Sequence, residues 1–392
     1  MRSAQRPSPS LSLLLAASAA LTAHTPAQAD ETGSAQSVGY RFNVYGEDAL
    51  SAPALGDPRR YEVYSQQFLL DTVVGDRNTL SVNATHEVMS GSSPWYVIPG
   101  PDNKPIQVLS GATIRDHRSA ATVALTQDAG GNDTRTVSAS YSQERDYHSA
   151  ALGAERTLPL SAALTLGFGG SFSHDVIEPT DAALYDRIHY AEKNTLSAFA
   201  SLSWVLNRTD VVESGLQLDY QSGYLSDPYK LVAVGDALDP DSRPHRRSEA
   251  AWLVRYRSAL TEHAALHLDT RLAANSWGQH SLTLEASWYQ GLRDGWQLVP
   301  GVRYYSQSRA RFYAPFFAAG SATFFSSDYR LGAFGALAAN LNLRKRIGRW
   351  EFSAGAERYH ATTSYALGGA ALADPATLSY TRVFAGLDYH FD

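Results

Sequence analysis

The segment RVFAGLDYHFD, residues 382–392, decides the fold, because its residues suit two different environments. The positions between its apolar residues are mostly small, polar or charged. A period of two residues is typical of a β-strand with one apolar face and one polar face. The segment therefore predicts a strand that lies between an apolar and an aqueous environment. Its apolar positions are Val383, Ala385, Leu387, Tyr389 and Phe391.

The same alternation recurs along most of the chain. In LHLDTRLAAN, residues 266–275, the leucines alternate with His267, Asp269 and Arg271. About sixteen such segments have roughly 9 to 16 residues, near the length of a tilted membrane-spanning strand. We predict strands near 40–48, 60–74, 77–90, 115–127, 133–147, 149–157, 161–177, 190–205, 209–224, 249–260, 264–276, 279–290, 295–310, 328–343, 350–363 and 379–391.

The connections between these segments alternate between short and long. Short turns such as VVGDRNT, residues 73–79, carry Gly, Asn or Asp. Longer segments lie between them, at 91–113, 178–189, 225–248, 311–327 and 364–378. Outer-membrane barrels have short periplasmic turns and long extracellular loops. We therefore predict an all-β protein, a single closed antiparallel transmembrane β-barrel of about 16 strands (14–18), with the last strand pairing with the first.

A soluble β-sandwich also shows alternating strands and is the competing interpretation. Sandwich strands average about 5–6 residues, however, and the segments here are longer. Their polar faces also carry several charges each. A closed barrel satisfies every backbone hydrogen bond in lipid without leaving a free edge. The barrel is therefore favoured.

The first residues predict export. Arg2 and Arg6 precede an apolar run from Leu11 to Ala23, and Ala27-Gln28-Ala29 follows it as a small-x-small cleavage pattern. This order is typical of a secretory signal peptide. We expect a cleaved signal at 1–29 and an outer-membrane β-barrel at 30–392, located in the bacterial outer membrane.

Composition excludes several classes of function. The chain contains no Cys, which removes thiol catalysis, thiolate metal sites and covalent haem attachment. The net charge is −6 and 18% of residues are charged, so no nucleic-acid partner is expected. We expect contacts with outer-membrane lipid, with the barrel-insertion machinery and with a periplasmic partner.

Five tryptophans share the parity of the apolar face and lie near strand ends. Amphipathic rings at both ends of outward faces form the interfacial girdle of membrane barrels. The predicted girdle consists of Trp204, Trp252, Trp288, Trp296 and Trp350.

Charged residues share the opposite parity and are predicted to face the lumen, because charge is costly on the lipid side. Two interpretations remain open: a packed plug of ion pairs, or a water-containing channel with a transverse field. About sixteen strands enclose more space than their side chains fill, which favours the second interpretation. The lumen-facing candidates are Glu144, Asp146, His148, Asp219, Arg255, Arg257, His267, Asp269, Arg271, Glu285, Arg303 and Arg309.

We predict no catalytic, cofactor or metal site, and no enzymatic activity. No G-x-S-x-G motif occurs, and His263 and His267 lie about 13 Å apart if they share a strand. The strings FSHD (172–175) and ERDYHS (144–149) each place His near Asp at the loop-side rim. We interpret them as hydrogen-bonded rim residues, and a metal site or hydrolase there as the less favoured alternative.

The chain resembles known proteins in two respects. The last strand resembles the C-terminal signal read by the insertion machinery of outer-membrane barrels, through Leu387, Tyr389 and Phe391. A longer set of strings resembles the domain-of-unknown-function 3570 family of Gram-negative bacteria. The strings are YGED (45–48), SGSSP (90–94), IRDHR (114–118), SQERDYHS (142–149), FSHD (172–175), GYLSDPYK (223–230), DSRPHRR (241–247), NSWGQHS (275–281), PGVRYYSQSRARFY (300–313) and SSDYRL (326–331).

The family resemblance implies an outer-membrane barrel whose activity the family name does not specify, and a link to periplasmic flavin-transfer proteins. From the residues, the favoured function is a channel or transporter for small polar solutes, biased toward anions by its arginines. The alternative is a structural or docking barrel for a periplasmic or cell-surface redox or assembly partner. An outer-membrane hydrolase is the least favoured.

Overall fold

The computed structural model describes residues 36–50, 54–57, 59–110, 114–370 and 376–391, so the expected signal peptide at 1–29 lies outside the described residues. Sixteen antiparallel strands of 11 to 17 residues form one closed barrel. They are β1 Ser37–Glu47, β2 Glu62–Val74, β3 Asn78–Gly91, β4 Ile114–Gly130, β5 Asp133–Gln143, β6 Tyr147–Pro159, β7 Leu164–Ile177, β8 Ala191–Val205, β9 Asp210–Gly223, β10 Arg246–Thr261, β11 Ala264–Asn275, β12 His280–Gly291, β13 Trp296–Gln307, β14 Phe334–Ile347, β15 Trp350–Thr362 and β16 Ser379–His390.

The barrel closes where the sequence predicts. Strand β16 pairs with β1, with Tyr389 opposite Val38 and Leu387 opposite Tyr40. The amide of Phe391 donates to the carbonyl of Gln36 at 2.9 Å, which extends the seam by one more hydrogen bond. The predicted strand number and the pairing of last with first are confirmed.

The register separates two faces all around the barrel, because directly opposed residues in antiparallel strands lie on the same face. Leu284 lies between Thr270 and Tyr304, whereas its neighbour Glu285 lies between Asp269 and Arg303. Large apolar side chains on the outer face are exposed, as at Leu216 and Trp252. A closed barrel with an apolar outer face is suited to the bacterial outer membrane, and that predicted location is confirmed. Among the described residues, no helix has the length and apolarity to cross a membrane.

The connections differ at the two ends of the barrel. Seven turns of two to four residues form the inner, periplasmic end. At the outer end, six connections are long, and two are short, at 144–146 and 276–279. Short strands within the long loops build two small three-stranded sheets. One contains Ala54–Leu55, Pro94–Pro99 and Pro105–Leu109, and the other Leu231–Val234, Ala237–Pro240 and Phe316–Phe317.

Several predicted boundaries were wrong, the largest error being the strand predicted at 328–343, which runs from Phe334 to Ile347. The strand predicted at 133–147 ends at Gln143, and a three-residue turn precedes Tyr147. The amide of Glu144 donates to the carbonyl of Tyr147 at 2.7 Å, which closes this turn. Strand β13 ends at Gln307, three residues before its predicted end, where the Gln307 side chain donates a hydrogen bond to the carbonyl of Arg330 in the following loop.

Candidate functional site

One side of the lumen is lined by charged residues from β9 to β13, which we call the charged wall. The register aligns five of them in one row across five strands: Glu213, Arg255, Asp269, Glu285 and Arg303. Each strand contributes an inward charge because alternate positions of these strands are polar. The wall consists of Glu213, Glu249, Arg255, Arg257, Asp269, Arg271, Glu285 and Arg303.

Most arginines of the charged wall are ion-paired. Arg257 Nη2 lies 2.7 Å from Asp269 Oδ1, and Arg271 Nη2 lies 2.8 Å from Glu249 Oε1. Arg255 Nη1 lies 3.2 Å from Glu213 Oε2. The wall therefore carries alternating charge and is not a uniformly positive surface.

These ion pairs border solvent-accessible space. The side chains of Arg255, Arg257 and Asp269 are 20%, 30% and 35% exposed, although all three face the barrel interior. A packed core of ion pairs would leave almost no exposed surface. The lumen beside the charged wall therefore has room for water.

The neighbouring part of the lumen wall, on β5 to β8, carries small side chains, and we call it the small-residue wall. The row Ser138, Gly153, Ser171 and Ser197 continues through Asp219 to the charged wall, so it lies on the lumen face. Ser171 is exposed even though it faces inward. Because these side chains are short, the open part of the lumen lies along this wall. Its members are Ser138, Ser140, Gly153, Gly167, Ser171, Ser197, Ser201 and Ser203.

Most of the predicted lumen residues lie on this inner face. Asp219 accepts a hydrogen bond from Ser197 Oγ at 2.6 Å. The ring of His267 packs against Tyr289 with centroids 4.2 Å apart. The inner face also holds Arg255, Arg257, Asp269, Arg271, Glu285 and Arg303.

Four predicted lumen residues lie elsewhere. His148 shares the outer face of Tyr141, since the turn at 144–146 shifts the alternation by one residue. Arg309 is exposed in the loop that follows Gln307. Glu144 and Asp146 belong to the turn itself, and both are buried. Burial raises the pKa of Asp146 to about 6, although the hydrogen bond from Tyr229 lowers it, and the Asp116 carboxylate adds to the rise.

The rim residues considered for a hydrolase do not converge. His174 pairs with Asn194 on the outer face, with Nδ1 2.9 Å from Oδ1. Asp175 faces inward, where it pairs with Lys193 at 2.8 Å and accepts from Tyr147 at 2.6 Å. His148 and His174 therefore lie on the outer face, apart from the inward Asp175 and from Glu144 and Asp146 in the turn.

The predicted girdle and C-terminal residues lie as follows. The five tryptophans are all exposed, and those of β13 and β15 are the first residues of their strands. Tyr389 packs against Trp350 with centroids 4.7 Å apart, and Phe391 packs edge-on against Tyr389. Contact of these rings with lipid headgroups, and recognition of Leu387, Tyr389 and Phe391 by the insertion machinery, stay predictions.

Loops 224–245 and 308–333 form a buried ionic cluster, and we call these two loops the loop plug. Arg243 Nε lies 2.7 Å from Asp241, and its Nη2 lies 2.9 Å from Asp328. Arg330 bridges Asp328 and Asp227, and the Nη2 of Arg330 lies 2.9 Å from Asp227 Oδ2. Burial alone would raise the pKa of the Asp328 carboxyl, but Arg330, Lys230 and Arg243 lower it far below its usual value.

The loop plug is seated inside the outer end of the barrel. The inward Gln307 donates from Nε2 to the carbonyls of Arg330 and Gly332, at 2.9 and 2.6 Å. Lys230 Nζ donates to the carbonyl of Pro94 at 2.8 Å, which joins the plug to loop 92–113. Inward residues near the outer strand ends are almost fully buried: Ala251, Ala273, Ala336 and Ala361. The plug therefore fills the outer lumen and leaves space below it.

A second buried ion pair lies on the β1–β3 side of the outer rim. Arg60 and Glu47 lie 2.7 Å apart, and each side chain is 1% exposed. Tyr61, Val63 and Met89 pack beside them as an apolar cluster. This pair and its apolar neighbours fill the β1–β3 side of the outer rim.

Comparisons with solved structures return other outer-membrane proteins. The siderophore receptor PirA from Pseudomonas aeruginosa is 11% identical with a TM-score of 0.44, over 91% of this chain and 62% of that chain. CdiB from Acinetobacter baumannii is 11% identical with a TM-score of 0.49, over 90% and 60%. A Pseudomonas aeruginosa FadL homologue is 11% identical with a TM-score of 0.41, over 91% and 90%. The chain thus spans less than two thirds of the first two.

No curated protein matches the chain. A family model described as "Protein of unknown function (DUF3570)" matches residues 11–382, which is nearly the whole sequence. The resemblance of the local strings to this family is thereby confirmed, and the chain belongs to the DUF3570 family.

Proposed function

We propose that the protein is an outer-membrane conduit for small polar solutes, closed at the cell surface by the loop plug. The observation that carries this proposal is the partly exposed charged wall, which adjoins a wall of Ser and Gly side chains along the lumen. A barrel that served only as a rigid support would gain nothing from such space. A continuous polar surface of this kind suits hydrated solutes.

The pattern of pairing supports a bias toward solutes that carry a negative group. Arg255, Arg257 and Arg271 are neutralised by carboxylates, so they create a transverse field without a net charge. Arg303 lies opposite Glu285 but makes no ion pair within 4.0 Å among the described residues, and its Nε is buried without a hydrogen-bond partner. A zwitterionic or anionic solute could pair with Arg303 on its way through the lumen.

Planar-bilayer recording of the purified barrel tests the proposal. Folded protein should give discrete conductance steps, with infrequent full opening because the plug occupies the outer lumen. Permeability should favour chloride over potassium, and Arg303→Gln should reduce that preference. Protein that is demonstrably folded and yet never conducts would contradict a conduit and would leave the docking-barrel alternative.

Narrowing the small-residue wall should reduce conductance. We expect Ser171→Trp to lower single-channel conductance by about half or more, because the indole would project into the open part of the lumen. The matched control is Phe172→Trp, the next residue of β7, whose side chain points outward and is exposed. Equal conductance of the two variants would show that solutes do not pass along this wall.

A further inference from the structure

Three carboxylates that belong to neither lumen wall meet at the outer rim. Asp116 comes from the outer part of β4, while Glu144 and Asp146 come from the turn between β5 and β6. One oxygen from each residue lies within 4.8 Å of the other two, and all three residues are buried. They belong to the strings IRDHR and SQERDYHS, and the proposed conduit gives these three carboxylates no role.

The protein supplies little positive charge to balance this cluster. Arg118 is a half-buried cation beside it, and it is shared between Glu87 at 3.0 Å and Glu144 at 3.7 Å. Arg145 lies next in sequence to two of the carboxylates but is exposed, so water screens its charge. Buried carboxylates need a cation or protons, because an uncompensated buried charge is costly.

A second observation points to a missing ligand. Asp146 is 3% exposed, and its Oδ1 has no hydrogen-bond partner within the described parts of the chain. Its other oxygen accepts a short hydrogen bond from Tyr229 Oη. A buried carboxylate oxygen is normally satisfied, so the orphaned oxygen indicates that a further group belongs beside it.

We propose that Asp116, Glu144 and Asp146 bind a calcium ion at the cell-surface rim. Calcium prefers carboxylate oxygens at about 2.3–2.6 Å, so two of its ligands can lie up to about 5 Å apart, which the 4.8 Å limit satisfies. The donor set contains only oxygen, which favours a hard cation over zinc or copper. Water and backbone carbonyls would complete the coordination.

The site would also fix the loop plug. Tyr229 belongs to loop 224–245 and binds Asp146 through its hydroxyl, while its amide donates to Asp227 of the ionic cluster at 3.0 Å. A cation that holds Asp146 in place therefore holds Tyr229 as well. The cation site stands without the conduit, since its binding is measurable whether or not the barrel conducts.

Calorimetry on the full chain in detergent tests the proposal. After treatment with chelator and its removal, the protein should bind calcium with a stoichiometry of one. Terbium should bind in competition with calcium and should luminesce on tyrosine excitation, because Tyr229 contacts Asp146 of the site. Asp116→Asn and Asp146→Asn should each weaken binding by about tenfold or more, since each removes a charged ligand.

Two further variants keep the test decisive. Asp128 lies on β4, like Asp116, but near the periplasmic end, so Asp128→Asn should bind calcium like the parent protein. Tyr229→Phe keeps all three carboxylates, so it should retain calcium while calcium should no longer protect loop 224–245 from protease. The proposal is overturned if folded parent protein binds no calcium at millimolar concentration, or if Asp146→Asn and Asp128→Asn bind it equally.

Discussion

Asp328→Ala should open the outer end of the barrel and raise single-channel conductance several-fold. Asp328 is fully buried and pairs with both Arg243 and Arg330. Without its carboxylate, two guanidinium groups and the nearby Lys230 would be buried with too little negative charge. Breaking a buried ion pair by removing one partner costs about 3–5 kcal/mol, and Asp328 is the carboxylate that joins loop 308–333 to Arg243 of loop 224–245.

Bilayer recording combined with limited trypsin digestion measures this effect. The loop plug of Asp328→Ala should be cleaved at Arg243 or Arg330, whereas the parent protein should resist. Asp236→Ala is the matched control, because Asp236 is an exposed residue of the same plug. Unchanged conductance in a variant whose plug is digested would mean that the plug does not close the lumen.

Leu284→Arg should destabilise the barrel by about 2–4 kcal/mol, because the new charge would face lipid near the middle of β12. Ser287→Arg, three residues later on the same strand, should cost far less, since Ser287 faces the lumen opposite His267. Reversible unfolding in urea with lipid vesicles measures both variants. Similar losses of unfolding free energy for the two variants would refute the assignment of faces.

Much of the fold can be predicted from local sequence because a membrane strand displays its two environments along its own length. Leu284 beside Glu285 already indicates which side meets lipid, and no distant residue is needed to decide it. The pairing of 382–391 with β1 follows in turn, since a barrel in lipid leaves no edge.

Prediction from local sequence fails where the alternation is interrupted. Counting by twos through SQERDYHS predicts an inward His148, yet the three-residue turn at 144–146 shifts the count and places His148 outside. The turn contains no Gly, Pro or Asn, and its single Asp is too weak a signal to distinguish a turn from a continuing strand. The prediction that Arg309 faces the lumen fails for a similar reason, because the Gln307 side chain donates to loop carbonyls and the strand ends there.

The sequence by itself determined the compartment, the strand number and the facing of most strands, because each of these is a property of contiguous residues. Only the tertiary structure decided that Arg243 meets Asp328 in the loop plug, and that Asp116 meets Asp146 at the rim. Irregular loops have no period from which a partner can be deduced. Their contacts exist because closure of the barrel brings distant parts of the chain together at one rim.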